Sequence, residues 1–569
     1  MRQTTAVLMM LFVALGAILG GCSAATTPAP TVPVATAIGQ APTETAPAAT
    51  QAEEAPVVMR IGASSGPDCL NPFACGSFWF FLDFVYEGFN GYGADCNVAP
   101  RLAESMEVSE DGRTWTLHLR EGATYSNGEP FDAQAVKAFW DWYTSTSLKD
   151  WYLATSLSDS WEATDDHTFR FTTEEPVGAF PVWDAFWLFP LPATLWGEFD
   201  DTTLYGFENA DPIGTGPYVL TEYAPGDHLI YDARPDYWGG PPAVDRIVIQ
   251  IFANWDAQIQ ALLAGEIDVT DRTVPASYYD PLTSAPNVSV IEKDVGYKYY
   301  LAFNLAENGN KHPAVEDLAV RTAIDFAIDK QQLIDVALLG HGLLCPTSWV
   351  CVPYGEQVTD PSLSVTPFDL ARANAILEEA GYLDTNGDDV RESKDGETLR
   401  LRLFYNSSTS PEIAMSQMIS EWLSQIGIAT DVEAQEEGTL FSATRELQDF
   451  DLAIIHLPDE LDPGAMDIYF SCWSAEAGAG GFNDSGYCSP EMDELISRSV
   501  SLRSTEERRQ VGFEIGRLIN RDRPVINLAE EKFIQAYRND RFVYQEVGCT
   551  TMAGLWDWYS IMHVEPAKK

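Results

Sequence analysis

Residues 62–66 (GASSG) match the pattern GxSxG, which surrounds the nucleophilic serine of many hydrolases. In those enzymes a helix follows the serine directly and holds its hydroxyl at the top of a sheet. Here Pro67, Cys69 and Pro72 predict a loop instead. The sequence therefore does not support a catalytic serine here. It also contains no GxxxxGK[ST], HExxH or GxGxxG motif.

An acidic segment offers possible calcium ligands. Asp384, Asn386 and Asp388 have the spacing of the first, third and fifth positions of an EF-hand loop. The sixth position, which requires glycine, holds Asp389, and the twelfth holds Asp395 in place of glutamate. We expect an acidic surface turn and keep calcium binding as the alternative. No other metal site is predicted, because the histidines are scattered and the cysteines lack zinc-site spacing.

The N-terminus has the pattern of an exported lipoprotein. An apolar run at residues 8–18 is shorter than the ~20 residues that span a bilayer, so residues 1–21 read as a signal peptide. The run leads to residues 19–22 (LGGC), which look like a lipobox that lipidates Cys22; a chance cysteine is the alternative. Residues 22–57, rich in Ala, Thr and Pro, predict a disordered tether.

Eight cysteines remain once Cys22 is set aside, which predicts up to four disulfides in an exported chain. Two pairs are close in sequence: Cys345 with Cys351, and Cys472 with Cys488. The other four are Cys69, Cys75, Cys96 and Cys549, and they can pair in three ways. We favour the pairing that joins Cys69 to Cys75.

Composition and charge exclude several partners. The chain has 569 residues, of which 46% are hydrophobic, and this is typical of folded domains. Its 34 basic and 85 acidic residues give a net charge of −51. Nucleic acids and anionic lipid surfaces attract basic patches, so neither is an expected partner. A self-repelling soluble surface and a saline habitat are both compatible with this charge.

Short strands and helices follow the tether. Residues 57–61 and 114–119 have strand patterns, the latter alternating with period two. A helix is predicted from an N-cap at Asp369 to a stop at Gly381, and Ser504 with Glu507 forms a capping box. Such a mixture predicts α/β domains.

Five segments, in order along the chain, resemble the extracellular solute-binding proteins of family 5, the peptide/oligopeptide class that serves ABC importers. The segments are residues 110–131 (EDGRTWTLHLREGATYSNGEPF), 212–218 (PIGTGPY), 234–240 (RPDYWGG), 263–268 (LAGEID), and 303–304 (FN) with 320–330 (VRTAIDFAIDK).

The resemblance implies an α/β, two-lobed clamp like that of periplasmic binding proteins (class II, large type), with an extra subdomain in lobe I. It places lobe I at 58–303 with a return at 531–569, and lobe II at 304–530. Strands near 299–304 and 526–533 would cross between the lobes, which would close on a solute by a hinge motion.

The resemblance also suggests binding residues, within residues 456–463 (HLPDELDP). Peptide-binding members carry a tryptophan followed by Ala/Gly-Asp-Tyr-x-Asp-Pro, and their first aspartate binds the peptide's α-ammonium. The matching residue is Asp459, while His456 replaces the tryptophan and Glu460 the tyrosine. Capping of a loop or helix by Asp459 is the alternative.

Further ligand-binding candidates lie in loops. The segment closed by Cys472 and Cys488 resembles a loop of dipeptide-binding members, and Asn483 fits it. The other candidates are Trp349, Trp473 and Asn71. Dense aromatic clusters at 78–81 and 139–143 suit stacking on sugar rings, with core packing as the alternative.

The sequence thus predicts a non-enzymatic, lipid-anchored receptor on the outer face of the cytoplasmic membrane. It would act as a monomer without a cofactor, capture a peptide-like solute and deliver it to an ABC permease. The alternatives are an oligosaccharide receptor of an ABC importer and, from another class, a secreted hydrolase or wall scaffold on a lipid tether.

Overall fold

The computed structural model describes residues 55–75, 79–348, 359–458, 462–549 and 554–568. The fold below is that of Val57–Lys569.

The strands are β1 (Val58–Ala63), β2 (Asn90–Tyr92), β3 (Val98–Pro100), β4 (Ala103–Val108), β5 (Thr114–Leu119), β6 (Ser158–Asp165), β7 (Thr168–Thr173), β8 (Tyr218–Ala224), β9 (His228–Ala233), β10 (Arg246–Ile251), β11 (Val288–Phe303), β12 (Gly342–Leu343), β13 (Arg400–Asn406), β14 (Ala429–Gln435), β15 (Leu452–Pro458), β16 (Val525–Arg538), β17 (Phe542–Tyr544) and β18 (Val564–Pro566). The α-helices are α1 (Trp79–Leu82), α2 (Ala133–Tyr143), α3 (Leu153–Ser156), α4 (Asp184–Trp187), α5 (Ala193–Trp196), α6 (Trp255–Ala264), α7 (Tyr279–Thr283), α8 (Leu318–Ala327), α9 (Lys330–Ala337), α10 (Leu370–Ala380), α11 (Ser410–Ser424), α12 (Glu437–Phe441), α13 (Met466–Phe470), α14 (Pro490–Ser501), α15 (Thr505–Asp522) and α16 (Trp558–Met562).

Local sequence signals account for the ends of several elements. The strand predicted at 114–119 is β5, whose side chains alternate between buried and half-buried. Helix α10 begins after Asp369, whose carboxylate accepts a hydrogen bond in the first turn, and ends at Gly381 in the left-handed conformation (φ 92°). Ser504 accepts a hydrogen bond from the amide of Glu507 at the start of α15. The predicted helix start and stop residues are confirmed.

Three sheets of four or more strands organise the chain, besides the two-stranded sheets β2-β3 and β17-β18. One has the order β1-β10-β9-β8, a second β4-β5-β7-β6, and a six-stranded sheet has the order β12-β16-β11-β15-β13-β14. In the six-stranded sheet β13 is parallel to both β14 and β15, whereas β11 is antiparallel to β15 and β16. Mixed pairing with helices between the strands gives the α/β architecture expected from the sequence.

Four larger hydrophobic cores lie against these sheets, and a fifth, small cluster joins Tyr92, Cys345 and Cys549. The first core draws on residues 59–269 and 542–564. The second and third cores cover opposite faces of the six-stranded sheet, because alternate residues of β11 enter each: Leu301 and Phe303 the second, Tyr300 and Ala302 the third. A fourth, smaller core includes Ile534.

Strands β11 and β16 run through more than one core. They pair antiparallel from Val288 opposite Arg538 to Ala302 opposite Val525, with a shift of register between Tyr299 and Tyr300. Their Val288 end packs in the fourth core, and their other end packs in the second and third. This strand pair therefore connects the cores physically.

Three disulfides are present among the described residues. The predicted pairs Cys69–Cys75 and Cys472–Cys488 are confirmed, and Cys96 pairs with Cys549. Cys345 is buried, and its predicted partner Cys351 lies outside the described residues.

The aromatic cluster at 139–143 belongs to the first core. Phe139 and Trp140 are fully buried, and Trp140 stacks on Phe171 with 4.9 Å between ring centroids. Core packing, not an open sugar-binding face, explains this cluster. In the described part of the chain, no helix is both long and apolar enough to cross a membrane.

Candidate ligand-binding site

The carboxyl ends of β13 and β15 lie at the same edge of the six-stranded sheet. The two strands are parallel neighbours, with Leu403 opposite Leu452. Asn406 therefore ends β13 on the side where His456 and Pro458 end β15. Ligands of open α/β sheets bind outside the carboxyl ends of the strands. The sheet thus places His456 where a solute would be expected.

The imidazole ring of His456 is held by contacts with two other strands. It stacks on Tyr299 of β11, with 4.0 Å between ring centroids and 9° between ring planes, and it lies 5.0 Å from the ring of Tyr297. Its Nε2 is 3.0 Å from Oε2 of Glu531 on β16. The side chain is still 22% exposed. His456 is therefore fixed in orientation and keeps an accessible edge.

Glu412, in the first turn of α11, is a buried carboxylate whose charge interacts with that of His456. Its Oε2 accepts a hydrogen bond from the amide of Asn406 (2.8 Å). Burial raises the pKa of Glu412 to about 7, because the ionised carboxylate loses its water; the Asn406 amide and the His456 charge offset part of this rise. Glu412 therefore changes charge near neutral pH.

Groups of both charge signs lie around Tyr297. Glu531 is directly opposite Tyr297 in the β11–β16 pair, so these two side chains share one face of the sheet, whereas the buried Lys298 and Glu530 lie on its other face. Burial lowers the pKa of Arg272, and the nearby Tyr297 offsets part of this effect. A solute at this junction would meet both acidic and basic side chains.

Several predicted functional residues lie outside the described residues: Asp459, Glu460, Trp349, Cys351 and Cys22. Asp459 and Glu460 follow the last residue of β15 directly in sequence. Asp462 is the next described residue along the chain, and it accepts hydrogen bonds from Arg508 and from the amide of Gly464.

The loop closed by Cys472–Cys488 contains two of the other candidates. Asn483 is buried, and its Nδ2 donates to the carbonyl of Tyr487 (2.9 Å) while its Oδ1 accepts from Ser485. Trp473 is 42% exposed, and its indole donates to Asp467 (2.9 Å). Asn483 thus holds the loop together, whereas Trp473 presents an open ring. Ligand binding by either stays a prediction.

Asn71 is fully buried and its amide serves the fold. Its Nδ2 donates to the carbonyls of Leu204 and Phe207, both at 2.8 Å, and its Oδ1 accepts from the amide of Phe73. A solute would have to replace these bonds in order to reach Asn71. The geometry therefore gives no support to Asn71 as a ligand-binding residue.

The acidic turn that contains Asp384, Asn386 and Asp388 uses its side chains internally. The amides of Gly387 and Asp389 donate to Asp384, and the amide of Asp388 donates to Asn386. Across the described residues, no group of three or more His, Cys, Asp or Glu side chains converges as a metal site would require. These internal hydrogen bonds fit the expected acidic surface turn, and calcium binding stays the alternative prediction.

An aromatic recess, formed by residues far apart in sequence, lies in the wall of the first core. Its cavity volume is about 10 Å³, which is room for about one water molecule. The buried hydroxyl of Tyr143 has no hydrogen-bond partner among the described residues. Trp187, in its wall, contacts Trp183, which packs against the third core. The recess is lined by Pro72, Phe73, Tyr143, Trp151, Tyr152, Trp187, Leu188 and Phe189.

Residues 97–477 match the family described as bacterial extracellular solute-binding proteins, family 5 Middle. The chain belongs to this family. The expectation drawn from the five segments is thereby confirmed.

This family 5 protein has curated relatives with different printed ligands. It is 30% identical to the nickel-binding periplasmic protein of Escherichia coli (strain K12) over 378 residues, which is 64% of this chain and 69% of the relative. It is 28% identical to di/tripeptide-binding protein 4 of Pseudomonas aeruginosa (strain UCBPP-PA14) over 472 residues, which is 78% and 83% of the two chains.

Solved structures share the fold of this family 5 protein. The oligopeptide-binding protein AppA from Bacillus subtilis, in complex with a nonapeptide, has a TM-score of 0.72 at 21% identity and covers 90% of this chain and 100% of its own. NikA from Brucella suis, in complex with Fe(III)-EDTA, has a TM-score of 0.75 at 24% identity and covers 90% and 99%. The fold is the two-lobed α/β clamp of periplasmic binding proteins.

The family motifs turn out to build the cores: residues 110–131, 212–218 and 234–240 contribute to the first, 263–268 to the fourth, and 303–304 with 320–330 to the second. A Cβ atom on Gly214 would lie 2.0 Å from the carbonyl oxygen of Val85, so the GTGPY segment must keep glycine there in order to pack. Arg234 donates to the carbonyl of Tyr125, and Tyr237 donates to the buried Glu87 (2.7 Å). These residues explain why the family was recognisable, and they do not form the candidate site.

Sequence reasoning missed Tyr297, Glu531, Glu412 and the aromatic recess. The available signal for Tyr297 was the tyrosine-rich run at 297–300, which precedes the family segment at 303–304. Glu412 looks like an ordinary first-turn acid in sequence, because its burial depends on β13 and β15. The recess carries no local signal, since its walls come from separate segments between 72 and 189.

Proposed function

We propose that this protein is a lipid-anchored receptor on the outer face of the cytoplasmic membrane. It captures a peptide-like solute between its two lobes and passes it to an ABC permease, without a chemical step and as a monomer. Lobe I comprises residues 58–303 and 531–569, and lobe II comprises 304–530, with β11 and β16 as the hinge. Membership of the solute-binding family and similarity to a di/tripeptide-binding protein support this proposal.

The position of His456 is the observation that carries the ligand assignment. It stands at the carboxyl end of β15 with an exposed edge, and Asp459 follows three residues later in sequence. A carboxylate at this edge of the sheet can accept charge-assisted hydrogen bonds from the ammonium group of a peptide. Acidic and basic side chains around Tyr297 suit a solute with charges of both signs.

The aromatic recess supports an amphipathic solute. Its walls are almost entirely apolar, and the hydroxyl of Tyr143 supplies one polar group. An apolar peptide side chain that packs over its mouth would leave water and gain contact with aromatic rings.

The same recess favours a second candidate, an oligosaccharide. Trp151 and Trp187 present partly exposed indole rings there, and aromatic faces of this kind stack well on sugar rings. A sugar brings no cation, so the two candidates differ in their need for a carboxylate.

Calorimetry with Asp459→Asn separates the candidates. For free-amine di- and tripeptides the substitution is expected to cost on the order of 2–5 kcal/mol of binding free energy, since a desolvated ammonium loses its charged partner. N-acetylated peptides should lose much less. Asp388→Asn, in the acidic surface turn, is the matched control and should bind both peptide forms like the wild type.

Two results would change the assignment. Binding of cello- or xylo-oligomers, with no binding of peptides by the wild type, would replace the peptide by an oligosaccharide. Equal losses for free and acetylated peptides would remove Asp459 as the ammonium partner. Native mass spectrometry of protein purified from its own host, which detects co-purified solute, identifies the solute class independently.

A further inference from the structure

Two segments that belong to different cores meet outside the β11–β16 pair. The amides of Gly178 and Ala179 both donate to the carbonyl of Val500, at 2.7 and 3.2 Å. The first segment is anchored in the first core by Val177 and Phe180. Val500 lies in the last turn of α14, a helix that packs in the third core. The contact therefore joins the two halves of the clamp backbone to backbone.

The approach at Gly178 is so close that only glycine fits. A Cβ atom there would lie 1.9 Å from the carbonyl oxygen of Leu502 and 3.0 Å from the amide nitrogen of Arg503. Both of these are backbone atoms and cannot rotate away. The φ of Gly178 is not in the left-handed region, so the backbone conformation does not itself require glycine there. The close approach of the two backbones explains why glycine is needed.

Side chains extend the same contact. Nη1 of Arg503 donates to the carbonyl of Ser109 (2.9 Å), in the turn between β4 and β5. Trp183, which follows the first segment, packs against the third core. The contact therefore includes two backbone bonds, one side-chain bond and one aromatic ring.

Arg508 connects this contact to the predicted binding segment. It is 3% exposed and bonds with Asp462, the first described residue after 459–461. Burial lowers the pKa of Arg508 to about 10, and the charge of Asp184 of α4, on the other side of the contact, offsets part of this fall. One arginine thus interacts with both the edge of the binding segment and the opposite half of the clamp.

We propose that the contact between residues 176–184 and 500–508, named here the closure latch, holds the two lobes together independently of solute, and that Arg508 couples it to Asp462. Opening about β11 and β16 must break the two backbone bonds to Val500. The latch sets the balance between open and closed clamp, whatever solute is bound.

Gly178→Ala tests the latch in the full-length protein without added solute. The variant is expected to raise the radius of gyration in small-angle scattering and to speed amide hydrogen exchange in 500–508 about tenfold. Exchange in 456–463 should also rise, because Arg508 is coupled to that segment. Gly206→Ala is the matched control, since a Cβ atom there meets nothing within 4 Å.

Identical radius and exchange in Gly178→Ala and Gly206→Ala would overturn the latch. Faster exchange in 500–508 with none in 456–463 would overturn the coupling through Arg508. If Gly178→Ala loses its near-ultraviolet circular dichroism, Arg503→Ala replaces it, because this change removes the side-chain bond to Ser109 and leaves both backbone bonds to Val500. Arg503→Ala should show the same changes in radius and exchange with smaller amplitude. A wild-type radius and wild-type exchange rates in this variant would contradict the proposal.

Discussion

Glu412 places a group that titrates near neutral pH next to the candidate site. Burial raises its pKa to about 7 from an ordinary value of 4.5, so between these pH values the folded chain holds a proton that the unfolded chain has lost. This residue therefore makes the free energy of unfolding fall as pH rises through that range. In Glu412→Gln the fall should be smaller by up to about 3 kcal/mol.

Urea unfolding of the wild type and Glu412→Gln at pH 5 and pH 8 measures this difference. Glutamine keeps an oxygen that can accept the Asn406 amide, so the variant removes the charge with little change of shape. Glu421→Gln, an exposed position on the same helix, should behave like the wild type. A wild-type pH dependence in Glu412→Gln would show that Glu412 is ionised throughout.

At the residue scale, the sequence predicted where a candidate binding residue lies better than it predicted which residues contact it. His456 was found because a family segment surrounds it, and it does lie at the carboxyl end of β15. Its stacking partner Tyr299 belongs to a strand more than 150 residues earlier, and pairing at that distance leaves no local pattern. Asn71 and Asn483 could not be distinguished from ligand-binding amides, because only the fold reveals that their hydrogen bonds are already used.

At the element scale, the disulfides differ in how much chain they enclose. Cys69–Cys75 spans 6 residues and Cys96–Cys549 spans 453. Cross-linking stabilises mainly by restricting the unfolded chain. Removal of the disulfide that closes the longer loop should therefore lower the free energy of unfolding more. Chain-entropy estimates are roughly 2 kcal/mol for the short loop and roughly 6 kcal/mol for the long one.

Double cysteine-to-serine variants of each pair, compared by thermal unfolding under oxidising conditions, test this order. The Cys96/Cys549 variant should melt at a lower temperature than the Cys69/Cys75 variant. The opposite order would mean that local strain or contacts, and not loop length, control the contribution of these bonds.

Elements with strong local signals were predictable, and their partners were not. The alternation in β5, the cap at Asp369 and the stop at Gly381 each follow from short-range chemistry. The order β12-β16-β11-β15-β13-β14 depends on contacts between residues as far apart as Val288 and Arg538, so resemblance to a family, and not periodicity, indicated the crossing strands.

At the scale of the whole molecule, attachment to the membrane is expected to depend on Cys22. Wild-type protein expressed with its own signal should sediment with membranes, and Cys22→Ser should appear in the soluble fraction or accumulate unprocessed. One acyl chain holds a protein only weakly, so retention requires at least two. Membrane retention of a processed Cys22→Ser protein, resistant to salt washing, would refute the lipid anchor.

The composition of the first core has a consequence for the order of folding. This core combines residues 59–269 with residues 542–564, including the buried Trp556, whereas the second core uses only residues 299–529. A chain that emerges from a translocation channel with its N-terminus first has every residue of the second core available while the last pieces of the first are still inside. The core whose residues come first in sequence is thus the last to be completed. During that interval, a chaperone that binds exposed aromatic surface would meet the incomplete first core.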